Sequence, residues 1–207
     1  MTFPFDYQLV TARCRLRAPT QADIPHVFSA TRYAGFNDGM LWDAPASEAD
    51  LLAPYEQSRR AWSDDDSFTF TIETKDQAAF LGRIGIRSTV NPKLWSIGFW
   101  LHPTQQGQGF MTEAASAIID FGFEQLGADA IEACYATWNI RSRRVLERVG
   151  MIEVEYLPYG YQKRGQWIPE YRMRREKRSN QSSEPTPTAG ASTAERPRAP
   201  AGRMTRT

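Results

Sequence analysis

The chain has 207 residues and a mass of 23.5 kDa, a length that suits one domain together with a short appendage. Its 25 Lys and Arg against 24 Asp and Glu leave a formal charge of +1, a balance that argues against binding to nucleic acid or to an anionic membrane. The two cysteines are too few for a disulfide framework, and no basic leader precedes an apolar run at the N-terminus, so we expect a cytoplasmic protein.

The first half of the chain predicts one strand, two helices and a meander, in that order. Residues 13–17 alternate between polar and apolar side chains, as a strand does. Thr20 is a typical helix N-cap, with Asp23 three residues later, and Ser47 caps a second helix after a loop over 33–43. Three β-rich runs separated by polar turns then predict an antiparallel meander: 68–74, 80–90 and 95–101.

In the second half, helices alternate with strands. A loop over 103–109 leads into a helix that ends at Gly127, a typical C-terminal glycine. The remaining elements are a strand, a helix and two strands: 130–136, 139–149, 151–156 and 168–174. This order predicts a mixed α+β domain with a central, mostly antiparallel, twisted sheet of about six or seven strands and helices on both faces.

The composition changes abruptly at residue 179. From there to residue 207 the chain lacks aromatic residues, Leu, Ile and Val, while Pro, Ser, Thr, Ala and Arg dominate. Such a segment buries too little apolar surface to offset its ordering entropy, so we predict a disordered tail over 179–207. The alternative is an interaction tail that uses its arginines. The folded domain is therefore expected to occupy residues 1–178.

The junction between the strand at 95–101 and the next helix contains Gly107 and Gly109. Glycines at such a junction let successive backbone N–H groups and the positive end of the helix dipole point into one concavity, which favours phosphate oxygens. Ordinary turns also use glycine, so this pair alone leaves the phosphate site open. A P-loop is excluded because Phe110 and Met111 stand where Lys and Ser or Thr are needed, and a dinucleotide fingerprint because its third glycine is Thr112.

Three stretches, spread over residues 11 to about 175, together resemble one known family in letters, order and spacing. They read RCRLRAPTQADI, IGFWLHPTQQGQGFMTEA and NIRSRRVLERVGM. The resemblance is to the GNAT superfamily of acyl-CoA-dependent N-acetyltransferases, and more closely to its ribosomal-protein N-terminal acetyltransferase branch. It implies a single GNAT-like domain that moves an acetyl group from acetyl-CoA to a primary amine, by direct attack within a ternary complex.

The resemblance also implies where the coenzyme binds. In the family, a Gln/Arg-x-x-Gly-x-Gly/Ala loop grips the coenzyme A pyrophosphate. The residues that match this loop or follow it directly are Gln106, Gly107, Gln108, Gly109, Phe110, Met111 and Thr112. The strand ending at Leu101 is expected to splay from its neighbour and bind pantetheine, with a backbone N–H near Trp100 or Leu101 polarising the thioester carbonyl.

Two residues of the third stretch have implied roles and structural alternatives. Asn139 resembles the family asparagine that faces the coenzyme, but asparagine is also an excellent N-cap. Ser142 resembles the serine near the thioester sulfur, where its hydroxyl would assist the departing thiolate. The alternative for Ser142 is a solvent-facing helix serine.

The sequence does not identify which residue acts as the general base. No carboxylate lies in the strand 95–101, whereas His102, directly after it, has a suitable intrinsic pKa, although a histidine before a proline is often structural. Glu155 and Glu170 are further candidates. No metal site is predicted, because no cluster with metal-ligand spacing accompanies the histidines. Cys134 is expected to be a core residue.

Several properties stay as alternatives. The acceptor is either a protein N-terminal α-amine or a small-molecule amine, and the aromatic-rich region 33–62 is expected to line its site. The alternative to an enzyme is a non-catalytic acyl-CoA-binding or scaffolding module of the same fold. No nucleic-acid or membrane partner is expected, and the chain is expected to be a monomer or a homodimer.

Overall fold

A computed structural model describes residues 3–178, and the predicted disordered tail at 179–207 lies outside the described residues. Eight strands form one sheet: β1 (Gln8–Val10), β2 (Cys14–Arg17), β3 (Ser67–Thr74), β4 (Phe80–Ser88), β5 (Leu94–Leu101), β6 (Ala130–Ala136), β7 (Ile152–Lys163) and β8 (Gln166–Glu176). The helices are α1 (Ile24–Thr31), α2 (Leu52–Ser63), α3 (Phe110–Glu124) and α4 (Ile140–Arg148). Short 3₁₀ turns add Gln21–Asp23, Phe36–Gly39, Glu48–Leu51 and Pro103–Gln105.

The strands lie in the order β1-β2-β3-β4-β5-β6-β8-β7. The first five pair antiparallel with their sequence neighbours, which confirms the predicted meander. β5 and β6 form the parallel pair, joined by α3, and β8 pairs antiparallel with both β6 and β7. The fold is therefore the predicted mixed α+β sheet, with one strand more than the upper expectation.

Local sequence signals explain where the first two helices begin. Thr20 with Asp23 and Ser47 with Asp50 each form a capping box, in which the side chain of one residue bonds the backbone N–H of the other. Both boxes start a 3₁₀ turn that continues into α1 or α2. The predicted helix starts are thus confirmed, and each begins with a 3₁₀ turn before the α-helix.

Side chains alternate between the two faces of a strand, and one face of this sheet carries the core. Phe68 and Phe70 of β3 contact both Trp62 of α2 and Phe121 of α3. Leu146 of α4 belongs to the same buried cluster. Each fully buried large apolar side chain of this kind contributes about 1.5–3 kcal/mol relative to exposure. We call this side the core face.

The opposite side, which we call the open face, is covered only in part. Near β2 and β3, Asp23 at the start of α1 bonds Arg17 and Thr71 across it. Further along the sheet, Gly98 of β5 is exposed, and a Cβ built on it meets no atom within 4 Å. Cys134 of β6 is also exposed on this face, so its predicted core position is wrong. Among the described residues, no helix is long and apolar enough to cross a membrane.

Candidate active site

Two neighbouring strands separate in the middle of the sheet. β5 and β6 pair over three positions, and the pairing ends at Ser96 and Glu132. Residues 97–101 and 133–136 run on without pairing to each other, and we call the opening between them the cleft. Backbone polar groups on its walls lack a strand partner there, which makes them available to a ligand.

The register decides which backbone groups face this cleft. The His102 N–H donates to the Leu81 carbonyl at 2.8 Å, and in an antiparallel ladder the bonded pairs recur every second residue. The Trp100 N–H therefore points to Arg83 on β4, whereas the N–H groups of Phe99 and Leu101 point into the cleft. This direction favours Leu101 over Trp100 among the two polarising donors that the resemblance implies.

The segment 106–112, which we call the glycine loop, connects the end of β5 to α3. Gly107 and Gly109 have φ values of +84° and +82°, a left-handed conformation that favours glycine. The backbone N–H groups of residues 107–112 donate no hydrogen bond to any described residue. Free N–H groups at the positive end of a helix are a ready site for phosphate oxygens.

Arg13 holds the glycine loop against the start of β2. Its Nη1 donates to the Gln108 carbonyl at 3.1 Å, and its Nε forms an ion pair with Glu113 at 2.8 Å. The same guanidinium lies 4.6 Å from the centre of the Phe110 ring. Burial raises the pKa of Glu113, but hydrogen bonds from Thr11 and Arg13 outweigh it and lower the pKa below its usual value. The sequence motif did not predict this role for Arg13.

A second arginine links the glycine loop to α4. Arg141 Nη1 donates to Gln106 Oε1 at 2.7 Å, and Gln106 Nε2 donates to the Leu101 carbonyl at 3.4 Å. An open hollow of about 600 Å³ lies beside the loop and is lined by Thr11, Gly109, Thr112, Glu113, Ser116, Ala117, Asp120 and Arg148. The loop, β5 and α4 therefore meet at one end of the cleft.

Asn139 and Ser142 lie at the start of α4. Asn139 Oδ1 accepts a hydrogen bond from the Ser142 N–H at 3.1 Å, so Asn139 is the helix N-cap. Ser142 is half-buried, and its hydroxyl makes no hydrogen bond within residues 3–178. The structural alternative for Asn139 is thus observed, and the hydroxyl of Ser142 is available to a ligand.

His102 directly follows β5, and both nitrogens of its imidazole ring contact hydroxyl groups. Its Nδ1 lies 2.7 Å from Thr104 Oγ1, and its Nε2 lies 3.4 Å from Ser29 Oγ. Burial, and then the neighbouring His26, lower the pKa of His102 below its ordinary value. Both ring nitrogens already have partners, and its role as a base stays a prediction.

The loop between α1 and α2 meets the β7–β8 hairpin over the open face. Lys163 Nζ donates to the carbonyls of Asn37, Met40 and Trp42, and the Tyr161 hydroxyl donates to the Asp38 carbonyl at 3.3 Å. In the same loop, a Cβ on Gly39 would lie 3.2 Å from Asn139 Nδ2. The predicted acceptor region therefore contacts both the hairpin and the start of α4.

The candidate bases from the hairpin differ in their contacts. Glu155 is exposed and pairs with Arg172 at 2.5 Å, whereas Glu170 is half-buried on β8 opposite Ala136. No group of three or more His, Cys, Asp or Glu is placed to hold a metal ion anywhere in the described chain.

Comparison with known proteins adds independent findings. The family model of the acetyltransferase (GNAT) domain matches residues 13–152. The uncharacterized N-acetyltransferase YnaD of Bacillus subtilis is 28% identical over 107 residues, which are 52% of this chain and 63% of YnaD, so the match spans less than two thirds of that relative.

Two solved structures share the fold at low identity. A GNAT-family acetyltransferase from Bacillus anthracis has a TM-score of 0.74 at 20% identity, covering 82% of this chain and 98% of its own. Mycobacterium smegmatis RimJ, solved in complex with CoA-disulfide, has a TM-score of 0.72 at 20% identity and covers 83% of this chain and 88% of its own.

Proposed function

Because this chain belongs to the GNAT acetyltransferase family, we propose that it transfers the acetyl group of acetyl-CoA to a primary amine. The observation that carries the proposal is one continuous surface, in which the free N–H groups of residues 107–112 adjoin the cleft between β5 and β6. This surface suits an elongated ligand that has phosphates at one end and a thioester at the other.

Coenzyme A would bind along this surface. The backbone N–H groups from Gly107 to Thr112 would bind its pyrophosphate, and the side chain of Gln106 would support the loop. The pantetheine arm would lie along β5, against the backbone groups of Phe99 and Leu101. A positively charged side chain is not needed at the phosphates, because the helix dipole and the free donors supply the positive potential.

Catalysis would depend mainly on positioning and on fixed donors. The Leu101 N–H would stabilise the negative charge that develops on the thioester oxygen when the amine attacks. The Ser142 hydroxyl would donate a hydrogen bond to the departing thiolate, and Asn139 would hold the first turn of α4 in place. His102 is the predicted proton acceptor for the amine.

The acceptor would approach over the open face. Exposed Gly98 leaves room above β5, and the loop between α1 and α2 together with the hairpin borders this space. An N-terminal α-amine has a pKa near 8, against about 10.4 for lysine, so it needs less help to lose its proton. We therefore place a protein or peptide N-terminus first, and a small-molecule amine second.

The test is release of free thiol from acetyl-CoA with a panel of peptides and small amines, followed by mass spectrometry of the products. Gly109→Glu places a carboxylate at the phosphate site, and Gly165→Glu is the matched control because Gly165 has a similar φ of +79° in the hairpin turn. We expect Gly109→Glu to abolish the thermal shift caused by coenzyme A and Gly165→Glu to preserve it. Binding of coenzyme A without transfer to any amine would favour the non-catalytic alternative.

A further inference from the structure

Arg83, in the middle of β4, is a shielded arginine without an acidic partner. Its side chain is half-buried, and its Nε is buried yet donates no hydrogen bond to any residue in the range 3–178. The arginines of β2 and β8 instead form ion pairs: Arg15, Arg17, Arg172 and Arg174. A shielded cationic donor without an acceptor is costly, which indicates that a ligand supplies the acceptor.

The carboxylates near Arg83 are already engaged by other groups. Asp23 accepts four hydrogen bonds, whose donors are two nitrogens of Arg17, the Thr20 N–H and the Thr71 hydroxyl. An ionised carboxylate has about four acceptor sites, so Asp23 has none left for Arg83. Glu73 is held in the same way by the two arginines of β2. These two carboxylates and two arginines balance, and the charge of Arg83 is in excess.

Arg83 keeps this positive charge. Burial lowers its pKa, Asp23 opposes the decrease and Arg17 adds to it. An arginine side chain nevertheless stays protonated in proteins at neutral pH. Its planar guanidinium matches the two oxygens of a carboxylate with two parallel hydrogen bonds. The group that Arg83 suits is therefore an anion, and a carboxylate fits its geometry.

The register places Arg83 at the border of the space proposed for the acceptor. Arg83 and Gly85 alternate with core residues along β4, so both lie on the open face. Trp100 of β5 pairs with Arg83, and Gly98 pairs with Gly85. Because both members of the second pair are glycines, no side chain covers the sheet there. The Arg83 side chain is thus next to the open space above Gly98.

Aromatic contacts connect Arg83 to the loop that borders the same space. The Trp100 ring lies 5.3 Å from that of Phe36 in the loop between α1 and α2, and 6.0 Å from that of Phe80 on β4. The cleft lies on the far side of β5 from Arg83. Neighbouring strands are about 4.8 Å apart, so an amine at the cleft and an anion at Arg83 are separated by roughly 5–10 Å.

We propose that Arg83 binds a carboxylate of the acceptor and so selects amines that carry one, an assignment that rests on the proposed function. The carboxylate lies roughly 5–10 Å from the reacting nitrogen. In a peptide, consecutive Cα atoms are about 3.8 Å apart, so an Asp or Glu at the second position meets this condition. In a small amine, the carboxylate lies a few carbons from the nitrogen.

The test measures kcat/KM for two matched pairs of amines. One pair is a C-terminally amidated peptide that begins Ala-Asp and its Ala-Asn counterpart, and the other is γ-aminobutyrate and its amide. We expect the parent chain to prefer an acidic member about tenfold to a hundredfold, the usual effect of a hydrogen-bonded charge. A preference within the peptide pair alone identifies a peptide side chain as the source of the carboxylate, and one within the other pair alone identifies a small molecule.

Arg83→Gln should abolish the preference by lowering the rate for the acidic member and leaving its neutral counterpart nearly unchanged. The ratio of the two rates does not depend on the folded fraction, so a loss of stability cannot imitate this result. Arg83→Lys retains the charge without the planar geometry and should keep part of the preference. A preference that persists in full in Arg83→Gln would overturn the assignment.

Arg87→Gln is the matched control, because Arg87 lies on the same strand and face but is exposed. It should keep the preference, and an equal loss in Arg87→Gln would replace the site at Arg83 with a long-range charge effect. The affinity for coenzyme A should be the same in both variants. A parent chain that acetylates both members of each pair equally would overturn this assignment alone. A parent chain that binds coenzyme A but acetylates no amine would overturn the proposed function as well.

Discussion

Arg13 shows how a single residue outside a motif controls it. Its guanidinium neutralises Glu113 and bonds the Gln108 carbonyl, so it holds the glycine loop next to a carboxylate without leaving that carboxylate unpaired. We expect Arg13→Ala to weaken coenzyme A binding about tenfold, because the unpaired charge of Glu113 then faces the phosphates. Isothermal titration calorimetry at two salt concentrations measures this loss, which should be smaller at high salt.

A second substitution separates this charge effect from a loss of loop structure. In the double variant Arg13→Ala with Glu113→Gln, the negative charge is gone and the hydrogen-bonding groups of the glycine loop remain. We expect most of the coenzyme A affinity to return. A double variant as weak as Arg13→Ala would instead show that Arg13 acts by positioning the loop.

Ser142 lies in the first turn of α4, and its hydroxyl has no hydrogen-bond partner within residues 3–178. If it donates to the departing thiolate, Ser142→Ala should lower kcat roughly tenfold to a hundredfold and leave the KM for acetyl-CoA nearly constant. Ser63→Ala removes another helix serine, whose hydroxyl bonds the Arg59 carbonyl, and serves as the control. Equal rates for the Ser142 and Ser63 variants would assign Ser142 to the helix surface.

At the scale of elements, α4 depends on its cap. Asp caps a helix as well as Asn does, whereas Ala does not. Asn139→Ala should therefore lower the free energy of unfolding by about 1 kcal/mol, and Asn139→Asp should preserve it. Denaturant titration gives these values. If Asn139 also faces the coenzyme, the added charge in Asn139→Asp should weaken coenzyme A binding while stability is kept.

The elements predicted from sequence are those whose side chains alternate or cap. The strands of the meander and the helix starts at Thr20 and Ser47 were predictable, because burial and capping leave a pattern in the residues. The sequence predicts that β7 ends near 156, but the strand continues to Lys163. Its outer half is bulged and contains Pro158 and Gly160, which usually mark a turn. β1 is only three residues long, too short for its side chains to show a pattern.

In the site, too, only features with a local sequence pattern are predictable. The glycine loop has such a pattern, so Gly107 and Gly109 are recognisable from the sequence alone. The direction of the Trp100 and Leu101 N–H groups depends on pairing with β4, which no short motif encodes. The contacts of Arg13 and Arg141 join segments that are distant in the sequence. Such long-range contacts set the chemistry of the site but leave no spacing in the sequence.

At the scale of the whole molecule, the two faces of the sheet have different roles. The core face provides the hydrophobic stabilisation, while the open face holds a buried polar network of Arg17, Asp23, Thr71 and Glu73 near β2 and β3. Beyond this network the face is uncovered at Gly98. The network therefore anchors α1 on one half of the open face and leaves the other half for the proposed acceptor.

This network makes the stability of the folded protein depend on pH in the acidic range. Burial raises the pKa of Asp23, but hydrogen bonds from Arg17, the Thr20 N–H and Thr71 together lower it by more than burial raises it. The pKa of Asp23 in the folded state is therefore below the unfolded value of about 3.9. Its stabilising contribution is complete above that unfolded value and is lost as the pH falls through the folded-state pKa. The lowered pKa of Glu113 adds a dependence of the same sign.

We expect Asp23→Asn to lower the free energy of unfolding at neutral pH by about 2–4 kcal/mol, because Arg17 loses a shielded partner. The variant should also lose less stability than the parent chain when the pH is lowered from 5 to 3, since the remaining acid dependence comes from Glu113 and other carboxylates. Urea titrations across this range measure both effects, with the exposed turn variant Asp76→Asn as the control. Thr71→Val, which removes one hydrogen bond at 2.8 Å, should give a smaller loss of the same kind. Parallel pH curves for Asp23→Asn and the parent chain would show that Asp23 does not link folding to protons.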